Sequence, residues 1–332
     1  MPVLTSDYRP PLLHRLRHVN TMYPYLRRPS VELPYNRKRH HTADNDFIDI
    51  DWLQSGSSQL VILCHGLEGS SRSQYMNHTA ALLYSKGYDV LAMNYRSCSG
   101  ELNIQPTMYH SGFTNDLHEL VTAYGPQYDS VYLVGYSLGG NMVLKYTTDG
   151  RLPLAGNIKA VIATSAPIHL ASSSREITRW YNYLYEINFL KTLRKKMYAK
   201  HRQHPEVIKI EDVEKVNSLI TFDEYFTGPL HGFTGAEDYY SQCSSLQFLH
   251  QVSVPTLLIQ AQDDPFLSPQ CYPYDLAQAS DKLYFKAPKF GGHLGFTTFG
   301  QSNYWNEVEI LKFISRQPAT SSLADEQHII LH

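Results

Sequence analysis

The 332-residue chain is 42% hydrophobic and 18% charged, which is enough to build a large core and suits one α/β sheet carrying an insertion. Its 29 basic and 31 acidic side chains leave a formal net charge of −2, which excludes the strongly basic surface of a nucleic-acid binder. No apolar run is long enough to span a bilayer, and the start of the chain (Asp7, Pro10, Pro11, Arg15, Arg17) lacks the apolar centre of a signal peptide, so a cytoplasmic protein is expected.

In chain order, residues 1–30 are rich in proline and arginine and read as an irregular arm. Val31 to His41 and Phe47 to Leu53, joined by Thr42-Ala43-Asp44-Asn45-Asp46, read as a hairpin. From Leu60 onward strand and helix signals alternate. Strand Leu60–Cys64 precedes a helix over Ser73–Lys86. Strand Asp89–Asn94 precedes a helix over Thr114–Tyr124, and Val131–Val134 leads into another helix before strand Ile158–Thr164. Two late strands, Pro255–Gln260 and Lys282–Lys286, come before a closing helix from Asn303 to Ser315. The alternation predicts an α/β fold with a mostly parallel central sheet and helices on both faces. Core segments are expected at 31–168 and 251–316, with a disordered tail at 317–332.

The segment 169–250 is too long for a plain connection and reads as a helical cap over the strand ends. Its aromatic-rich run, Trp180, Tyr181, Tyr183, Leu184, Tyr185, Phe189 and Leu190, fits either helix packing onto the sheet or the wall of an acyl pocket. The basic run Arg194-Lys195-Lys196 with Lys200 and Arg202 fits a solvated helix face or peripheral contact with an anionic membrane. Arg37-Lys38-Arg39 reads the same way.

The chemistry centres on Gly135-Tyr136-Ser137-Leu138-Gly139, which follows an apolar strand and opens a helix. The five-residue pattern is weak alone, but strand before and helix after are the context of a nucleophile elbow. A serine nucleophile needs a base and an orienting acid, in the order Ser, acid, His. Asp263-Asp264-Pro265 follows a strand, and Gly291-Gly292-His293-Leu294-Gly295 holds a histidine on a loop. Either carboxylate could serve, and Asp264, immediately before Pro265, is preferred. The oxyanion donors would be the backbone N–H groups of Leu138, after the nucleophile, and Leu67, in the loop His65-Gly66-Leu67-Glu68-Gly69-Ser70. His65 reads as a brace for that loop rather than as the base. Cys64, Cys98, Cys243 and Cys271 are scattered, and His40-His41 and His201-x-x-His204 lack acidic partners, so neither a metal nor another cofactor is expected.

Six blocks together resemble the YheT group of α/β-hydrolases: 65–70, Arg96-Ser97-Cys98-Ser99-Gly100-Glu101-Leu102-Asn103, Tyr109-His110-Ser111-Gly112, the elbow 135–141, Asp263 to Phe266, and Gly292 to Phe296. The resemblance spans roughly residues 12 to 315. It implies an α/β-hydrolase fold, a triad of Ser137, Asp264 and His293, and esterase- or lipase-like activity on small-molecule or lipid acyl esters. Asn20 stands where the group usually has glutamine, and Ser97 where glycine is common. An acyltransferase, or a binding protein that keeps the hydrolase shell, are the alternative readings.

Overall fold

The apolar runs become the inner strands of one nine-stranded sheet in the structure, a computed structural model that describes residues 3–317. The strands are β1 (Val3–Leu4), β2 (Asn36–His41), β3 (Phe47–Leu53), β4 (Gln59–Cys64), β5 (Asp89–Met93), β6 (Ser130–Tyr136), β7 (Ile158–Thr164), β8 (Thr256–Ile259) and β9 (Leu283–Lys286). Their spatial order is β1-β9-β8-β7-β6-β4-β5-β3-β2. Only β2 with β3 and β3 with β5 run antiparallel, while β4 pairs parallel with both β5 and β6.

Both faces are covered, as continuous apolar strands require. Along β4 the side chains alternate: Leu60, Ile62 and Cys64 enter one core cluster, Val61 and Leu63 the other. Helices α1 (Arg17–Arg27), α2 (Gln74–Ser85), α3 (Asn115–Tyr124) and α4 (Leu138–Thr148) come from the first part of the chain. Leu117 and Leu120 of α3, with Met142 and Val143 of α4, fill the first cluster. Met76 and Ala80 of α2 fill the second. Each fully buried aliphatic side chain contributes about 1.5–3 kcal/mol.

Between β7 and β8 lies a helical insertion: α5 (Leu170–Ile177), α6 (Tyr183–Gln203), α7 (Ile210–Lys215), α8 (Leu219–Phe222), a π-helical turn (Asp223–Thr227), α9 (Gly228–Leu230) and α10 (Ala236–Cys243). The last helices among the described residues are α11 (Tyr274–Ala279) and α12 (Trp305–Ser315), and Ile310 and Ile314 of α12 join the second cluster.

Two expectations need correction. The arm is not irregular throughout, because Val3 pairs with Phe285 at the sheet edge and α1 is a full helix. Its buried positions are Asn20 and Pro24, so no aliphatic stripe announces it. The first hairpin strand starts at Asn36 rather than Val31, and Pro34 supplies no N–H to extend the ladder. The tail expected for 317–332 lies, beyond Gln317, outside the described residues.

Candidate active site

The turn from β6 into α4 needs two glycines. A Cβ on Gly135 would lie 2.2 Å from the Gly139 carbonyl oxygen, and one on Gly139 would meet the Cys64 and His65 carbonyl oxygens at 2.5 Å. With both positions bare, Ser137 occupies the tight point at φ 52°, ψ −119°, a left-handed region costly for a non-glycine residue. Its N–H donates to the Thr164 carbonyl at 2.9 Å. The hydroxyl stands 2.9 Å from His293 Nε2.

His293 arrives on the loop after β9 and is held from several sides. Its Nδ1 lies 3.0 and 2.9 Å from the two Asp264 oxygens. Donation from Nδ1–H to that carboxylate leaves Nε2 as the acceptor facing Ser137. The Phe266 ring packs 4.4 Å from the imidazole. The His293 backbone N–H donates to Thr21 Oγ1 at 2.9 Å. Asp264, after β8, is 4% exposed, and its Oδ1 also accepts the Phe266 N–H at 2.9 Å.

The neighbouring Asp263 does not reach the imidazole. Its Oδ1 accepts the Gly292 N–H at 2.9 Å, while its Oδ2 is buried without a partner. Burial pushes this carboxyl up to about 6. Asp263 and Asp264 both lie in the turn after β8, closed by the Asp264 N–H donating to the Ala261 carbonyl at 3.1 Å, and the two carboxylates leave it toward different partners.

Leu138 opens α4, so its N–H has no carbonyl one turn earlier to bond, and Leu138 and Leu67 both line the cavity described below. The loop carrying Leu67 is braced on all sides. Gly66 N–H donates to the Tyr75 hydroxyl at 2.9 Å, and Glu68 N–H donates to the Tyr109 hydroxyl at 2.7 Å. Tyr109 donates in turn to Glu68 Oε1 at 2.9 Å. Lys196, reaching down from α6, pairs with the same oxygen at 2.7 Å. His65 is wholly buried, with Nδ1 at 2.7 Å from the Gly66 carbonyl and Nε2 accepting the Tyr95 N–H at 3.1 Å. Desolvation lowers its imidazole to about 3, so it is a neutral brace.

Ser137 and His293 open onto a cavity of about 900 Å³, part of it open to solvent. Ile177, Phe189, Leu193, Leu219 and Phe222 from the insertion supply apolar wall. Asp223, in the π-helical turn, is a polar exception. Its carboxylate accepts from Thr227 Oγ1 at 2.6 Å and from the Tyr240 hydroxyl at 2.7 Å, and burial raises it to about 6. Of the seven residues in the aromatic-rich run, only Phe189 lines this cavity, and Trp180, Tyr183 and Leu184 are exposed.

Several residues around the site have no role assigned from the sequence, although Asn20 and Ser97 stand out as departures from the YheT pattern. Thr21 is 272 positions from His293. Asn20, fully buried, donates to the Tyr8 hydroxyl and the His14 carbonyl and accepts from Thr297 N–H and Oγ1. Ser97, at φ 63°, explains why glycine suits that place. Among the described residues, no group of three or more His, Cys, Asp or Glu side chains is placed to hold a metal. All four cysteines are free thiols.

A parallel sheet with an elbow serine at the end of a central strand, and an acid and a histidine at the ends of later strands, defines a class. A family model described as the alpha/beta hydrolase fold matches residues 59–298, and the chain belongs to the α/β-hydrolase family. YheT of Escherichia coli (strain K12) is 32% identical over 307 residues, covering 88% of each chain, and the likeness puts the chain in the YheT-like group. Phospholipase ABHD3 of Mus musculus is 28% identical, covering 89% of this chain and 74% of its own. Monoacylglycerol lipase ABHD2 of Homo sapiens is 26% identical, covering 89% and 75%. Among solved structures, a Pyrococcus furiosus esterase aligns with TM-score 0.56 at 15% identity over 87% of this chain and 98% of its own, a likeness of fold.

Proposed function

We propose that this carboxylic ester hydrolase works through a triad of Ser137, His293 and Asp264, with Leu67 and Leu138 N–H groups as the oxyanion hole and the helical insertion as a cap over the acyl site. The observation that carries the reading is the unbroken hydrogen-bonded series from Ser137 Oγ through the imidazole to a buried carboxylate, opening on an apolar cavity.

Ser137 Oγ attacks the ester carbonyl while His293 Nε2 takes its proton, and Asp264 stabilises the imidazolium. The two N–H groups hold the oxyanion, and losing one such donor typically costs about 2.7–4 kcal/mol of barrier. As the carbon–oxygen bond to the alcohol breaks, His293 returns the proton to the leaving oxygen. Water, deprotonated by the same imidazole, then cleaves the acyl-serine and releases the acid. Every step uses groups of the chain and water alone. The apolar wall suits acyl chains of short to medium length or acylglycerol-type esters.

Steady-state hydrolysis of p-nitrophenyl esters of graded acyl length, on wild type and Ser137→Ala together, tests this. Serine-dependent turnover with a length optimum is expected. Equal turnover by both proteins contradicts the triad. Added glycerol separates hydrolysis from acyl transfer, because transfer would yield glycerol esters in place of free acid.

A further inference from the structure

The aromatic-rich run that fails to line the cavity lies instead on the outside. Trp180 is 85% exposed and Leu184 80%, at the entry to α6. On the amino-terminal arm Leu12, Leu13, Leu16 and Leu26 are exposed as well, Leu12 to 75%. Isolated exposed leucines need no explanation, but this many large apolar side chains exposed on two segments call for one.

The two segments meet. His18 of α1 hydrogen-bonds the Tyr185 hydroxyl of α6 at 3.2 Å, and the two rings stack at 5.8 Å. Arg17 lies over the Tyr181 ring at 5.2 Å. Both segments also touch the catalytic loop: Thr21 of α1 holds the His293 N–H, and Tyr185 packs on Phe266, which packs on His293. The two segments that carry these apolar side chains therefore border the mouth of the site.

On the arm the charge has one sign, while at the entry to α6 Glu176 pairs with Arg179 and accepts from the Tyr181 hydroxyl. From Tyr8 to Val31 the sequence has no Asp or Glu, while Arg9, Arg15, Arg17 and Arg27 are exposed. Arg15 and Arg17 lie over aromatic rings rather than against carboxylates. Along α6 Lys191 is exposed, and the helix's own acid, Glu186, is buried and accepts the Leu219 N–H. The basic run further along α6 contributes little here, since Lys196 is paired with Glu68 and Lys200 is buried against carbonyls of residues 103 and 105.

We propose that the amino-terminal arm and the entry to α6 form one docking surface for an anionic lipid bilayer, seating the mouth of the site against the membrane. Protruding leucines and a tryptophan flanked by unpaired arginines suit the interface, where apolar tips enter the acyl boundary and cations meet lipid phosphates. A protein partner would be expected to answer the arginines with carboxylates at defined places, whereas a bilayer needs only an apolar surface with cations beside it.

The test uses the full chain and vesicles of phosphatidylcholine, with or without phosphatidylglycerol. Trp180 reports directly, because Trp52 and Trp305 are buried at 2% and 8% exposure. Expected are co-sedimentation with the anionic vesicles, a blue shift of tryptophan emission that Trp180→Ser abolishes, and release by salt. Arg15→Glu with Arg17→Glu should lower partitioning roughly tenfold or more, as should Leu13→Ser with Leu16→Ser. Hydrolysis of a soluble p-nitrophenyl ester should be unchanged in these variants, which separates lost docking from lost fold or lost catalysis. Three results overturn the proposal: no partitioning into anionic vesicles at low salt, partitioning indifferent to all the substitutions, or a dimer or protein complex that the same substitutions dissolve without any lipid affinity.

Discussion

Asp263 and Asp264 are adjacent in the chain and opposite in environment. Asp264 accepts from His293 and from a backbone N–H, whereas Asp263 has one buried oxygen with no donor. Asp264→Asn should reduce kcat about 10³–10⁴-fold by favouring the wrong imidazole tautomer, while Asp263→Asn should stay within a few-fold of wild type. Parallel kinetics of the two variants decide between the carboxylates. Asp263 also carries a pH signature. Its folded-state carboxyl is raised to about 6, so the folded protein holds that proton more tightly than the unfolded chain does. The stability it contributes is present below about pH 4 and is lost as pH rises through about 6. Asp263→Asn should therefore melt like wild type near pH 4 and be more stable by about 1–2 kcal/mol near pH 8, less than the full shift implies because the group is only half-buried. Denaturant titrations at the two pH values measure the difference.

Between elements, the contact that matters most to the proposed chemistry joins α6 to the loop after β4. Lys196 and Glu68 are 18% and 6% exposed, and Glu68 sits at φ 54° directly after Leu67. Removing the cation leaves the buried Glu68 carboxylate without its counter-charge, with only the Tyr109 hydroxyl still donating to it, beside the proposed oxyanion donor Leu67. Lys196→Met should lower kcat about fivefold to thirtyfold with KM little changed, and Lys196→Arg should restore most of the loss. A second tie joins α1 to the loop after His293 through Asn20, whose side chain makes four hydrogen bonds in full burial. Asn20→Ala should destabilise the protein by about 2–3 kcal/mol, measurable as a lower unfolding midpoint. These ties mark the limit of what the sequence tells. Ser137, Asp264 and His293 each sit in a short pattern, where strand, glycines and polar residue are contiguous, so local reading singles out three residues that the structure brings within hydrogen-bond distance. Thr21, Asn20 and Lys196 act on partners 272, 277 and 128 positions away; the first two lie in a segment that reads as an irregular arm, where Asn20 shows only as a departure from the group's pattern, and Lys196 in a basic run that reads as a solvated face. Trp180 and Leu184 mislead for a related reason. Helical spacing suggests burial, yet whether a face meets the sheet or solvent depends on how the insertion folds back.

At the scale of the whole molecule, parallel strands set the site. β4, β6 and β8 run parallel within the sheet, so the loops that carry Leu67, Ser137 and Asp264 all leave the same edge, and His293 joins them after β9. That is where an open α/β sheet binds its ligand. The insertion covers this edge with apolar side chains, and the amino-terminal arm closes beside it, so one edge of the molecule carries both the cavity and the basic, leucine-rich surface. Among the described residues no helix is long and apolar enough to cross a membrane. The most direct test of the account is labelling by a fluorophosphonate followed by peptide mass spectrometry, on wild type, His293→Ala and Ser137→Ala. The account predicts a single adduct on Ser137, formed far more slowly without His293 and absent from Ser137→Ala. An adduct on another residue, or equal labelling of wild type and His293→Ala, would contradict it.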